Sequence, residues 1–138
     1  MSPMKKMILT AEVDRMDDVL DFINAELEAH DVSMKTIMQI DIAVEELFVN
    51  IAHYAYNPEV GEATVTVEVE EAPLCAVIRF IDRGRPYDPL SREDPDVTLG
   101  VEERQIGGLG IYMVKKSMDE VSYAYEDGQN ILTIRKLL

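Results

Sequence analysis

Glu46 and Asn50, in the run Glu46-Leu-Phe-Val-Asn50, stand four residues apart in a helical stretch and project from one face, one turn apart. The amide oxygen of Asn50 is a suitable hard ligand for Mg²⁺. The Glu46 carboxylate beside it can accept a proton from a hydroxyl or from a water held near the metal. A second segment, Asp82-Arg-Gly84-Arg-Pro86, follows an apolar strand. A carboxylate at a strand end, followed by a glycine that admits close backbone approach, can accept a hydrogen bond from an exocyclic amine such as that of adenine. The third segment, Gly107-Gly-Leu-Gly110, opens onto a helical run. There, bare backbone N–H groups and the positive end of the helix suit an anion. It fits neither the G-x-x-x-x-G-K-[ST] phosphate loop nor the G-x-G-x-x-G dinucleotide fingerprint. Taken singly, each segment also reads as plain structure: a solvated helix pair, a β-turn shaped by Asp and Gly, and a glycine loop.

The elements that must position these residues follow from periodicity. Lys5 to Val13 reads as a strand centred on Met7, Ile8 and Leu9. Asp14 is a candidate cap for a helix carrying Val19, Phe22, Ile23 and Leu27 and ending near His30-Asp31. Ser33 is a good N-cap for a long second helix whose apolar stripe runs Ile37, Ile40, Ala43, Val44, Leu47, Ile51 and Tyr54, with Asn57-Pro58 as its stop. Ala63 to Glu70 alternates as a half-buried strand, and Leu74 to Ile81 is a second strand after the Pro73 turn. The segment from Asp82 to the glycines is long, charged and aperiodic, and such loops are commonly functional, so it reads as a mobile lid over about residues 87–107. Ile111 to Met118 forms a short amphipathic helix. Glu120 to Tyr125 and Asn130 to Leu137 form a hairpin around Asp127-Gly128. Strands lie before and after three helices, which predicts an α+β sandwich with helices on one sheet face.

Composition sets bounds. The chain has 138 residues, 47% of them hydrophobic, enough for one domain spanning 1–138 with a real core. A net charge of −14 argues against nucleic acid and anionic membranes as partners, since both need a basic footprint. An anionic ligand must then be held by a metal ion, backbone N–H groups and a few local cations. Cys75, the only cysteine, sits in an apolar run and reads as a buried structural thiol. The N-terminus lacks the apolar core of a signal peptide, and no stretch approaches the ~20 apolar residues of a membrane span. A cytoplasmic location is the expectation. No His/Cys cluster has zinc spacing and no Ser–His–Asp arrangement is suggested.

In order and separation, the three segments resemble the N, G1 and G2 boxes of the GHKL (Bergerat-fold) ATPases across nearly the whole chain. Within that superfamily the chain is most similar to the anti-sigma-factor serine/threonine kinases. The resemblance rests on Asp41-Ile-Ala-Val-Glu-Glu-Leu-Phe-Val-Asn-Ile-Ala-His-Tyr-Ala-Tyr56, on Asp82-Arg-Gly-Arg-Pro-Tyr-Asp-Pro89, and on Gly107 to Val121. It implies a two-layer sandwich whose mixed, mostly antiparallel sheet is covered on one face by three helices. It implies ATP and Mg²⁺ as cofactors. Glu46 would be the general base toward a substrate serine, and Asn50 the Mg²⁺ ligand. Asp82 would read the adenine amine with Gly84 giving it room, and Gly108, Leu109 and Gly110 would line the phosphates. Arg104, in the lid, falls where this family often has an arginine near the γ-phosphate or the partner; Glu103-Arg104 also reads as a solvated pair. The implied partners are a small antagonist protein as substrate and a sigma factor or similar target, with no direct nucleic acid or membrane contact. A homodimer is implied too. A non-catalytic nucleotide-gated binding module, or a detached ATP module of a histidine kinase, is the alternative. His53 reads as a helix residue at the edge of the site.

Overall fold

The computed structural model describes residues 3–56, 59–71, 73–91 and 108–138. Strand β1 (Lys5–Thr10) leads through a 3₁₀ turn (Val13–Arg15) into helix α1 (Met16–Ala29). Helix α2 (Met34–Tyr54) follows, then β2 (Glu62–Glu70) and β3 (Cys75–Asp82). A second 3₁₀ turn (Pro89–Ser91) precedes helix α3 (Gly108–Ser117) and the hairpin β4 (Glu120–Glu126) and β5 (Gln129–Leu137).

The five strands form one sheet in the order β1-β2-β3-β5-β4. Every pairing is antiparallel, so the expected mixed, mostly antiparallel sheet narrows to a wholly antiparallel one among the described residues. The hairpin turn takes φ of 52° at Asp127 and 76° at Gly128, the left-handed pair that matches strand twist in a two-residue hairpin. Helices and sheet share one core. Val19, Ile23 and Leu27 of α1 and Ile40, Val44, Leu47 and Phe48 of α2 meet the inward faces of the strands, among them Val65, Val67, Ile78, Phe80 and Ile134. Ile111, Val114 and Met118 add the α3 end. Alternation places Ala76, Ile78, Phe80 and Asp82 on the helix side of β3, so the last residue of that row is a carboxylate buried at the edge of the core.

Three expectations shift. The first strand stops at Thr10 because the chain turns into the 3₁₀ segment at Val13. Asp14 lies inside that turn, and α1 starts from Arg15 without a side-chain cap. Tyr54 does not share the buried stripe of α2: it is the last residue of the helix and is 46% exposed. Ser33 does cap α2, its hydroxyl accepting from Thr36 N at 3.3 Å. Cys75 is buried, and burial pushes its thiol pKa up.

Candidate functional site

The turn after β3 is clamped to the end of α2. Arg83 N donates to Tyr56 Oη at 2.8 Å, Gly84 N to Asp82 Oδ1 at 2.9 Å, and Arg85 N to Ala55 O at 3.0 Å. The last bond occupies a carbonyl that a helix C-terminus leaves without an intrahelical partner. Gly84 sits so close to this helix end that a Cβ there would lie 2.8 Å from Ala55 Cα. The room that Gly84 makes is therefore taken by the Ala55 backbone.

Asp82 is 5% exposed, and β5 answers its buried charge. Directly opposite in the ladder stands Asn130, whose Nδ2 donates to Asp82 Oδ1 at 2.9 Å and to Arg85 O at 2.9 Å. Asn130 Oδ1 accepts from Tyr87 N at 3.2 Å and from the Tyr123 hydroxyl. Burial raises the Tyr123 pKa, which keeps that hydroxyl a donor at neutral pH.

Between α2 and this corner lies a cleft lined by Asn50, Tyr54, Phe80, Asp82, Tyr87 and Asn130, among others. Its interior holds about 30 Å³, room for one or two waters. The Tyr54 and Tyr87 rings meet at its mouth with centroids 6.0 Å apart. A purine needs more space than this cleft holds. His53 is exposed beside them, its ring edge-on to Tyr54.

One turn back along α2, Asn50 is half-buried and its Nδ2 donates to Glu46 O at 3.1 Å. Only the amide nitrogen can donate to a carbonyl, so Oδ1 is left as the acceptor, a hard oxygen at the cleft wall. A further turn back, the Glu46 carboxylate lies against α3: a Cβ on Gly110 would come within 2.6 Å of Glu46 Cδ. Gly108 and Gly110 belong to α3 itself, which begins at Gly108 and so takes in the glycines expected to precede it. Leu109 falls in the same first turn. The first four N–H groups of such a helix have no intrahelical acceptor and face outward from its positive end. Arg104 and Gly107, and residues 92–107 of the expected lid, lie outside the described residues.

The structure thus brings Glu46 to Gly110 and Asn50 to Asp82, with α2 as the ruler between the two pairs. A family model described as the histidine kinase-like ATPase domain matches residues 9–136. The chain belongs to this family. Among its relatives, the serine-protein kinase RsbW of Listeria monocytogenes is 31% identical over 105 residues, covering 72% of this chain and 66% of that protein. RsbW of Bacillus cereus is 30% identical over 100 residues, covering 70% and 61%. The match thus spans less than two thirds of the length of these relatives. The histidine kinase domain of the Erythrobacter litoralis EL346 blue-light-activated histidine kinase superposes with a TM-score of 0.51 at 19% identity, over 78% of this chain and 46% of that one. This likeness establishes the shared fold. As a histidine kinase-like ATPase domain, the protein carries Asn130 and Tyr123 as cleft residues that its three glycine- and acid-bearing segments do not contain. The signal for Asn130 is its place two residues beyond the Asp127-Gly128 turn, but finding it requires knowing that β5 rather than β4 pairs with β3. No helix among the described residues is long and apolar enough to cross a membrane.

Proposed function

We propose that the protein is an ATP-dependent serine kinase of the anti-sigma-factor type, with the whole chain as one nucleotide-binding domain. The observation that carries this reading is the alignment along one helix. Glu46 lies beside the α3 N-terminus, Asn50 lies at the cleft wall, and Tyr54 lies at the mouth near Asp82. From Glu46 to Tyr54 is about 12 Å of helix rise, a length suited to an extended nucleoside triphosphate.

In this reading Asp82 accepts a hydrogen bond from the adenine amine through Oδ2, since both of the bonds described above fall on Oδ1. The α3 N–H groups at Gly108, Leu109 and Gly110 face the phosphates, where helix ends favour anions. Asn50 Oδ1 is the residue atom that fits Mg²⁺, whose charge would offset that of the phosphates. Glu46 takes the proton of a serine hydroxyl as its oxygen bonds to the γ-phosphorus and the bond to the bridging oxygen breaks, releasing ADP. Arg104 would serve the γ-phosphate or the partner. The substrate is a small antagonist protein, and the alternate ligand a sigma factor or similar target, held by a homodimer in the cytoplasm. The names of the RsbW relatives support the serine-kinase class.

The test combines γ-labelled ATP, Mg²⁺ and the antagonist protein. Label should appear on an antagonist serine. Glu46→Gln should abolish transfer while ATP binding persists. Binding without transfer in the unmodified protein would favour a nucleotide-gated binding module instead.

A further inference from the structure

We infer that Asn130 is the positioning residue that sets the base preference of the cleft, holding Asp82 so that one carboxylate oxygen faces the protein and the other faces the ligand. The inference rests on the nucleotide-site reading above and goes beyond it to the origin of specificity.

The amide of Asn130 is fully committed. Its two N–H bonds go to Asp82 Oδ1 and Arg85 O, both at 2.9 Å, and its oxygen accepts from Tyr87 N and the Tyr123 hydroxyl. An amide has two donors and two acceptor lone pairs, so nothing remains for a ligand. Asn130 can act on the base only through Asp82. The orientation of the amide is forced too, because reversing it would set its oxygen against a carboxylate and a carbonyl.

Asp82 Oδ1 receives Gly84 N as well as Asn130 Nδ2, which turns that oxygen toward the protein. Rotation of the carboxyl group would break both bonds at a site 5% exposed. Oδ2 is therefore held as a fixed acceptor. The amine at C6 of adenine can donate to it. Guanine places a carbonyl oxygen at the same position and leaves two acceptors face to face. Polar sites with fixed, desolvated groups reject such a mismatch far more strongly than apolar pockets do. The same amide ties the Arg85–Tyr87 backbone to the carboxylate, so the ring at the cleft mouth and the base-reading atom keep one register.

The experiment measures dissociation constants of the unmodified protein, Asn130→Asp and Tyr123→Phe for ATP and GTP by calorimetric titration. In Asn130→Asp, two carboxyl groups face each other and cannot both stay ionised. The amide donor that fixes Oδ1 is then gone, so the Asp82 carboxyl group can turn and, when protonated, present an O–H to the base as well as an oxygen. The ATP-over-GTP ratio should fall by roughly ten- to hundred-fold, the scale of a hydrogen bond to a charged group. Tyr123→Phe keeps the ring and removes one arm of the clamp, so it should move the ratio the same way by less. If Asn130→Asp does not fold, the Tyr123→Phe ratio decides. Equal losses for both nucleotides, with the ratio unchanged, would overturn the inference while leaving the nucleotide site standing. Absence of adenine-nucleotide binding in the unmodified protein would overturn the site reading itself, and this inference with it.

Discussion

Glu46 fills the space where Gly110 has no side chain: a Cβ at Gly110 would stand 3.3 Å from Glu46 Oε1 and 2.6 Å from Cδ. The clash in Gly110→Ala is with the far end of a flexible side chain, and the helix gains up to about 1 kcal/mol by exchanging Gly for Ala. Thermal stability should therefore stay level or rise. The carboxylate must swing away from the α3 N-terminus, so any phosphoryl transfer that uses Glu46 should fall sharply. Melting curves alongside transfer assays check this; an unchanged transfer rate would separate Glu46 from the chemistry.

Gly84→Ala should behave in the opposite way. Its Cβ would meet the backbone of Ala55, which is pinned by the helix and by Arg85 N. Nothing there can rotate aside, so the helix end and the Asp82 turn must separate, at about 1–3 kcal/mol. Gly128→Ala is the control: nothing lies within 4 Å, and only its φ of +76° opposes a side chain, costing about 1–2 kcal/mol. Urea unfolding should show both losses. ATP-induced stabilisation should weaken only in Gly84→Ala.

Most of the frame was legible because its signals are local. The stripe from Ile37 to Ile51, the Ser33 cap and the Asp127-Gly128 turn each specify their element within a few residues, and the structure keeps them. Residue type and spacing single out Glu46, Asn50 and Asp82 as candidates, and the structure sets Asn50 and Asp82 on one cleft and Glu46 against Gly110. Strand order was not legible, because it depends on which hydrophobic faces meet across the chain, and with it the Asp82–Asn130 pairing stayed hidden. Helical period puts Tyr54 on the apolar stripe but carries no sign that the last turn of a helix is left exposed. The start of α3 at Gly108 is hidden in the sequence because glycine disfavours helix interiors, and only the Glu46 contact shows why a residue without a side chain suits position 110.

Asp41 offers a pH test. Burial raises its pKa above 3.8 against the lowering bond from Asn24, with Glu45 adding repulsion. A raised carboxyl pKa means that the folded state holds the proton more tightly than the unfolded state. Its contribution to stability therefore falls as pH rises from about 3.8 through the folded pKa. Asn24 Oδ1 and Asp41 Oδ1 are both buried without a hydrogen-bond partner. Asp41→Asn removes the charge, and its new NH₂ can donate to Asn24 Oδ1. The variant should melt higher at neutral pH, and its advantage should vanish below pH 3.8. A pH-independent difference would point to packing instead.

Asn50→Ala separates metal from nucleotide. The lost bond, Nδ2 to Glu46 O, is a second bond to a carbonyl already inside α2, so the free protein should lose little stability. A ligand that binds only the folded state raises the melting temperature in proportion to the logarithm of its concentration over Kd. With the unmodified protein, ATP plus Mg²⁺ should stabilise more than ATP with a chelator. If Asn50 Oδ1 holds the metal, the variant should lose that increment, by about 1–3 kcal/mol, and keep the stabilisation by ATP with chelator, which depends on Asp82 and the α3 N-terminus. Loss of both responses together would place Asn50 in the nucleotide contact itself. Retention of both would remove it from the metal site.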